Sequence, residues 1–189
     1  MIKIAIFASG SGSNAQNIAE YFSNHPEIRV ALILANKSGA YVLERAERLG
    51  IPSVVFDRHD FYETDNVVSL LDNYKIDFIV LAGFLWFVPD NLMKKYDRKI
   101  VNIHPALLPR HGGKGMYGEK VHCAVIQSGD KQTGITVHYV NDHYDEGEII
   151  FQDSFEILPS DTAETIAKKV HQLEYKHFPR VIEDVLLHT

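Results

Sequence analysis

"IKIAIFASGSGSNAQNIAEYF", residues 2–22, decides the fold. Its first seven residues are almost continuously apolar, which suits a central strand of a parallel sheet covered on both faces. Its last eight, 15–22, carry apolar residues at three-and-four spacing, which suits an amphipathic helix. Between them lies the glycine-serine turn "SGSGSN", residues 9–14. A strand, a tight turn and a helix start gather free backbone amides and the positive end of a helix dipole at one point, an anion-binding arrangement.

Outward from this unit the same grammar repeats. "RVALILA" (29–35), "SVVFD" (53–57) and "DFIVLAG" (77–83) read as buried strands, and "VLERAERLG" (42–50) and "ETDNVVSLLDNY" (63–74) as helices. Gly50 followed by Pro52 stops the helix before it. The pattern predicts an α/β fold, a Rossmann-like doubly wound, mostly parallel sheet. After "KIVNIH" (99–104), one more strand, the pattern changes. "LLPRHGGKGMYGEK" (107–120) reads as glycine-rich loop and "KVHCAVIQSG" (120–129) as helix, while "GITVHYV" (134–140) and "EIIFQDSFEI" (148–157) alternate like antiparallel hairpin strands. Ser160 or Asp161 then caps a helix over about 162–187, with Glu164 placed for a capping box and Pro179 for a kink. With no repeat or linker, the expectation is a single domain, 1–189, in two halves, 1–100 and 101–189.

Composition narrows the function. A chain of 189 residues, 46% hydrophobic, can bury one sizeable core. Its net charge of -6 and lack of any run of five basic residues argue against nucleic acid as a partner. Cys123 is the one cysteine, which excludes an intrachain disulfide and a multi-cysteine zinc site and points to the cytoplasm. No stretch reads as a membrane span or a signal segment, so no membrane partner is expected.

Read as Gly10-x-Gly12-x-x-Ala15, the turn fits a dinucleotide fingerprint, but the second strand ends "LANKSG" without the acidic residue that holds a ribose. A single phosphate gripped by Ser13 and Asn14 fits better; the plain alternative is a tight turn with Asn14 as helix cap. In "VNIHPALLP", Asn102 and His104 are two apart on one strand and share a face. Two such donors can stabilise the oxyanion of a tetrahedral intermediate, or simply be satisfied by backbone. "HYVNDHYDEGEI" adds His138, Asp142, His143, Asp145, Glu146 and Glu148 in a loop that can bring a carboxylate to the same edge, face solvent, or hold a metal. No metal is expected, since H-E-x-x-H is absent and His138 and His143 lie five apart. Nor is a covalent nucleophile: the turn is not G-x-S-x-G, and Cys123 sits mid-helix.

"FASGSGSN", "DFIVLAGF", "VNIHPALLP" and "GITVHYVNDHYDEGEII", in this order and spacing, resemble the folate-dependent phosphoribosylglycinamide formyltransferase family across nearly the whole chain. The resemblance implies the formyltransferase fold, a first half that takes the ribonucleotide phosphate, and a second half that completes a cleft for 10-formyltetrahydrofolate, the co-substrate. It implies a transfer of the formyl group to the amine of glycinamide ribonucleotide, a step of purine biosynthesis, by a monomer or homodimer. Asn102, His104 and Asp145 would be the catalytic trio, with Asp145 keeping His104 charged. Gly12, Ser13, Asn14, Gly83, Pro105 and Glu174 would contact the ribonucleotide. Leu85, Trp86, Phe87, Val88, Asn102, Val140, Asn141, Asp142 and Asp145 would contact the reduced folate.

Three features depart from the family pattern or leave a choice. Trp86 stands where a basic residue is common, and Glu174 is either a substrate carboxylate or part of a solvated helix face. "RHGGKGMYGEKVH" (110–122) replaces a shorter, proline-containing loop, and reads as a lid or as exposed padding. Among relatives, methionyl-tRNA formyltransferases carry an added C-terminal domain, deformylases an added N-terminal one, and sugar-nucleotide N-formyltransferases are longer, so length favours the ribonucleotide enzyme. The reading from a different class is a non-catalytic nucleotide-binding module.

Overall fold

The computed structural model describes residues 1–188. In chain order the elements are β1 (Ile2–Ala8), α1 (Ser13–Tyr21), β2 (Ile28–Ala35), α2 (Val42–Arg48), β3 (Ser53–Val55), α3 (Arg58–Tyr62), α4 (Asn66–Tyr74) and β4 (Phe78–Leu81). There follow α5 (Asp90–Lys95), β5 (Ile100–His104), α6 (Glu119–Gln127), β6 (Gln132–Tyr139), β7 (Ile149–Glu156) and α7 (Ala163–His188). The strands form one sheet in the order β3-β2-β1-β4-β5-β6-β7. β1 is parallel to β2 and β4, β2 is parallel to β3, and β6 and β7 are antiparallel. This is the doubly wound, mostly parallel sheet with antiparallel strands added at the C-terminal end that the patterning predicts.

The described chain forms two compact units, 1–101 with 186–188, and Asn102–Val185. In the first, Ile4, Ile6, Leu32, Ile33 and Leu34 are fully buried, as strands covered on both faces require. An aromatic cluster forms beside them: Phe61 lies 5.0 Å from Phe56, 5.5 Å from Phe84 and 6.3 Å from Phe7, centroid to centroid. Burying rings of this size contributes about 1.5–3 kcal/mol each. In the second unit Val121 and Val125 of α6 and Ile135 and Val137 of β6 are buried, and so is a stripe of α7 at four-residue intervals: Ile166, Val170, Glu174, Phe178 and Ile182. One carboxylate therefore interrupts an otherwise apolar helix face.

Four local expectations need correction. The helix after the glycine turn starts at Ser13 with Gly12 as N-cap, so Asn14 is not the cap. The stretch 63–74 starts its helix later, at Asn66, and a separate short helix, α3, precedes it, because Asp57 and Asp60 close a capping box around residues 57–60. A short helix, α5, also follows Pro89. At α7 the reciprocal cap is made by Thr162 and Thr165, each hydroxyl accepting from the other's backbone amide, while Asp161 accepts from Leu158 N and Glu164 pairs with Lys168. Helix α7 runs on through Pro179.

Candidate active site

In the first unit the glycine turn is held by backbone. Gly12 has φ 71 and its carbonyl accepts from Gln16 N at 2.9 Å, while Gly10 O accepts from Val42 N at 3.1 Å. A Cβ at Gly12 would lie 2.4 Å from Val42 Cγ2, so only glycine lets α2 press on the turn. First-turn amides of a helix lack intrahelical acceptors, and α1 opens directly on the turn with no acidic residue in its first turn. Arg45 of α2 adds positive charge: its Nε donates to Ser11 O at 2.8 Å and its guanidinium also bonds Gln16. Beside the turn a cavity of about 790 Å³ opens at the ends of β1, β2 and β3, lined among others by Ser9, Gly10, Asn36 and Asp57.

The segment expected at the folate divides by exposure. Gly83 has φ 71 and its carbonyl accepts from Ser9 N; Leu85 is exposed and its amide donates to Ser9 Oγ at 3.0 Å. Phe87 O accepts from Tyr62 Oη, and the Val88 side chain is buried. Trp86 joins the aromatic cluster, 5.9 Å from both Phe56 and Phe61, with the Arg58 guanidinium 5.0 Å above its ring. A basic group thus meets this position from α3, not from residue 86 itself.

In the second unit, Asn102, His104 and Asp145 are joined through a fourth side chain. Asn102 Nδ2 donates to His138 Nε2 at 3.1 Å, and His138 Nδ1 donates to Tyr139 O at 2.8 Å. The carbonyl can only accept, so His138 carries its proton on Nδ1 and keeps Nε2 as acceptor for the Asn102 amide. His138 Nε2 is 3.7 Å from Asp145 Oδ1, and His104 Nδ1 is 3.5 Å from Asp145 Oδ2. Asp145 also accepts from Gly113 N at 2.9 Å. Gly112 permits this approach, since a Cβ there would meet Leu108 at 2.5 Å and Asp145 Cβ at 3.2 Å.

Burial of Asp145 raises its carboxyl pKa, but His138, the charge of His104 and the Gly113 amide outweigh it, and the net shift is downward. His104 is 3% exposed; burial lowers its pKa below the ordinary 6.5 and outweighs Asp145 and the His111 carbonyl, which favour the charged ring. The expected support of a charged His104 by Asp145 therefore exists in sign, and in the free chain desolvation is the larger effect.

The other expected residues are spread around this cluster. Pro105 follows His104 and is half-buried. Val140 and Asn141 are half-buried, with Asn141 Oδ1 accepting from His143 N; Asp142 is exposed and accepts from His143 Nδ1 at 2.9 Å. Glu174 does not lie on a solvated face: it is 5% exposed and accepts from His171 Nδ1 at 2.8 Å. That contact raises the His171 pKa, and His122, whose pKa is lowered by burial, lies near enough to feel the Glu174 charge. Sequence reasoning grouped His138 with the polar loop but gave it no role in the site, and it did not include His111 and Asp130. The signal for His138 was its place in the strand "TVH", two residues from Thr136, whose hydroxyl donates to Ala106 O and accepts from Leu108 N. Among the described residues no group of three or more His, Cys, Asp or Glu is arranged to hold a metal ion, and no helix is long and apolar enough to cross a membrane.

Residues 2–182 match the profile of the formyl transferase family. The chain belongs to that family. Among curated relatives it is 38% identical to the phosphoribosylglycinamide formyltransferase of Bacillus subtilis, over 98% of this chain and 95% of that one. It is 40% identical to the chloroplastic phosphoribosylglycinamide formyltransferase of Arabidopsis thaliana, over 95% of this chain; it spans 64% of that relative and 60% of the one from Vigna unguiculata. Among solved structures, the phosphoribosylglycinamide formyltransferase of Bacillus halodurans superposes with a TM-score of 0.88 at 36% identity, over 98% of this chain and 96% of that one. The formyl transferase fold of this chain is therefore supported by sequence and by structure together.

Proposed function

We propose that this chain transfers the formyl group of 10-formyltetrahydrofolate to the glycinamide amine of glycinamide ribonucleotide, a step of purine biosynthesis. The two units then serve as the phosphate half and the catalytic and folate half of one formyltransferase domain. The observation that carries the reading is the cluster of side chains Asn102, His138, Asp145 and His104 within the second unit. It places an amide donor, a carboxylate and a titratable ring together, as acyl transfer to an amine needs.

The folate supplies an electrophilic formyl carbon whose oxygen gains negative charge when an amine adds to it. Asn102 has two N–H groups and spends one on His138, which leaves one to stabilise that charge. His104, once protonated, adds a positive charge beside Asp145, and the bond strengthens as the oxyanion develops. Asp145 holds the ring and relays, through water, the proton released by the amine to the folate N10, so that the bond from the formyl carbon to N10 breaks and tetrahydrofolate leaves. At the turn, Ser13, Asn14 and the start of α1 hold the 5'-phosphate, with Gly12 allowing the close approach. Leu85 to Val88 and Val140 to Asp145 are the folate contacts in this reading, and Glu174 holds the ribonucleotide's amine or ribose.

The test is release of tetrahydrofolate from 10-formyltetrahydrofolate, followed spectrophotometrically with glycinamide ribonucleotide, with water alone, and with Asp145→Asn. Ribonucleotide-dependent release that collapses in the variant is expected. Release without the ribonucleotide would replace the reading with a deformylase, and no release at all would leave a nucleotide-binding module.

A further inference from the structure

The loop after β5 and the turn before β6 share a second set of charged contacts next to His104. His111 Nε2 donates to Asp130 Oδ2 at 2.7 Å, and Arg110 pairs with the other oxygen of the same carboxylate. His111 has φ 55, a left-handed conformation that costs a non-glycine residue about 1–2 kcal/mol, so something must hold it there. In that conformation its backbone carbonyl accepts from His104 Nε2 at 2.8 Å.

We propose that Arg110, His111 and Asp130 form a positioning clamp for His104: Asp130 seats the His111 ring, and the seated residue's carbonyl fixes the plane and tautomer of the His104 imidazole. The inference rests on the catalytic reading of His104. A carbonyl only accepts, so Nε2 of His104 must carry a hydrogen, and Nδ1 is then the nitrogen left to face Asp145 and exchange a proton. Without the clamp the ring can turn or take the other tautomer, and the pairing of Nδ1 with Asp145 is lost for part of the time. The Asp130 carboxylate suits the task. Its side chain is 8% exposed, and although burial raises its pKa, the His111 hydrogen bond, Arg110 and Ser128 bring the net shift down, so it stays charged. The other groups that bear on His104 are Asp145, His138 and, further off, His122. His111, Arg110 and Asp130 do not reach substrate in this scheme; they act through His104.

The experiment compares wild type with Asp130→Ala, Asp130→Asn and His111→Gly, which tolerates the left-handed backbone but removes the ring that Asp130 holds, so the carbonyl is free to move. Nitrogen NMR of histidine-labelled protein, with His104 assigned by its own replacement, should show one Nε2–H tautomer in wild type and a mixture in Asp130→Ala and His111→Gly. In the same two variants kcat should fall on the order of tenfold with KM changed by less than about twofold. The alkaline limb of the rate profile should move to lower pH, because the carbonyl that favours the charged ring is no longer held against it. Asp130→Asn, which can still accept from His111, should recover most of both signals. An unchanged His104 signature in Asp130→Ala and His111→Gly would overturn the clamp, including the case where kcat falls only in step with the folded fraction. Because the tautomer is read without substrate, a wild type that transfers no formyl group would remove the functional reading and still leave the clamp tested.

Discussion

The glycine turn of the first unit and the polar cluster of the second are both candidate binding points, and they are built in opposite ways. The turn is made mostly of neighbours in sequence: residues 9–14 set the backbone, and Val42, Arg45, Gly83 and Leu85 reach it from elsewhere. The cluster draws Asn102 and His104 from β5, His111 and Gly113 from a loop, Asp130 from the turn before β6, His138 from β6 and Asp145 from the loop after it. Backbone amides at a helix start are fixed by the helix itself and serve any phosphate. Side chains that must share protons have to be placed one by one, and each placement depends on a contact distant in sequence. The first design suits uniform binding and the second suits chemistry.

That contrast is broken most directly in kinetics. Asp145→Asn should lower kcat on the order of 10³-fold, while KM for the ribonucleotide stays within about threefold. A rise in KM with kcat intact would mean that the cluster binds and does not catalyse. Next in size is Gly12→Ala, which adds about 1–2 kcal/mol of left-handed strain and about 1–3 kcal/mol of overpacking against Val42. Thermal unfolding should come roughly 5–15 °C earlier; an unchanged Tm would show that α2 moves aside at no cost. Ser13→Ala should raise KM for the ribonucleotide about tenfold and leave kcat alone, the mirror image of Asp145→Asn. Equal losses in both constants would place Ser13 in the transition state as well.

The smallest expected effect concerns acid stability. His104 and His122 have pKa values below the ordinary 6.5, so the unfolded chain takes up protons there before the folded one does, and stability falls as pH drops below about 6.5. Asp145 and Asp130 lie below 3.8, so their contribution is intact above that value and is lost as pH falls through their folded values. His171, raised by Glu174, works the other way: its contribution is present below 6.5 and fades as pH rises through its folded value. It is about half exposed, so solvent weakens it. The Tm should therefore decline by a few degrees from pH 7.5 to pH 5 and more steeply below pH 4. An equal Tm at pH 7.5 and pH 5 would mean that the losses at His104 and His122 are no larger than the gain at His171.

Much of this was legible in the sequence, for reasons that differ by region. Strands apolar on both faces, such as "IKIAIFA" and "RVALILA", can only be central in a covered sheet, so the winding followed from periodicity. The short helices α3 and α5 were missed because a five- or six-residue helix has too few turns to show a period; caps and prolines define it instead. The sequence left Glu174 as either a substrate carboxylate or part of a solvated face, yet its spacing of four from Val170 and Phe178 already placed it on the buried stripe. Asn102 and His104 could be paired because residues two apart on a strand share a face.

What the sequence by itself determined was therefore what depends on near neighbours: strand and helix order, the anion-binding turn, the shared face of Asn102 and His104, and through its motifs the formyl transferase family. The tertiary structure decided what depends on distant partners. It brought His138 between Asn102 and Asp145, seated Trp86 in an aromatic cluster under Arg58, and joined His111 to Asp130 behind His104. Backbone geometry is a local property of the chain, whereas the ionisation and orientation of a buried side chain are set by whichever groups the fold packs around it.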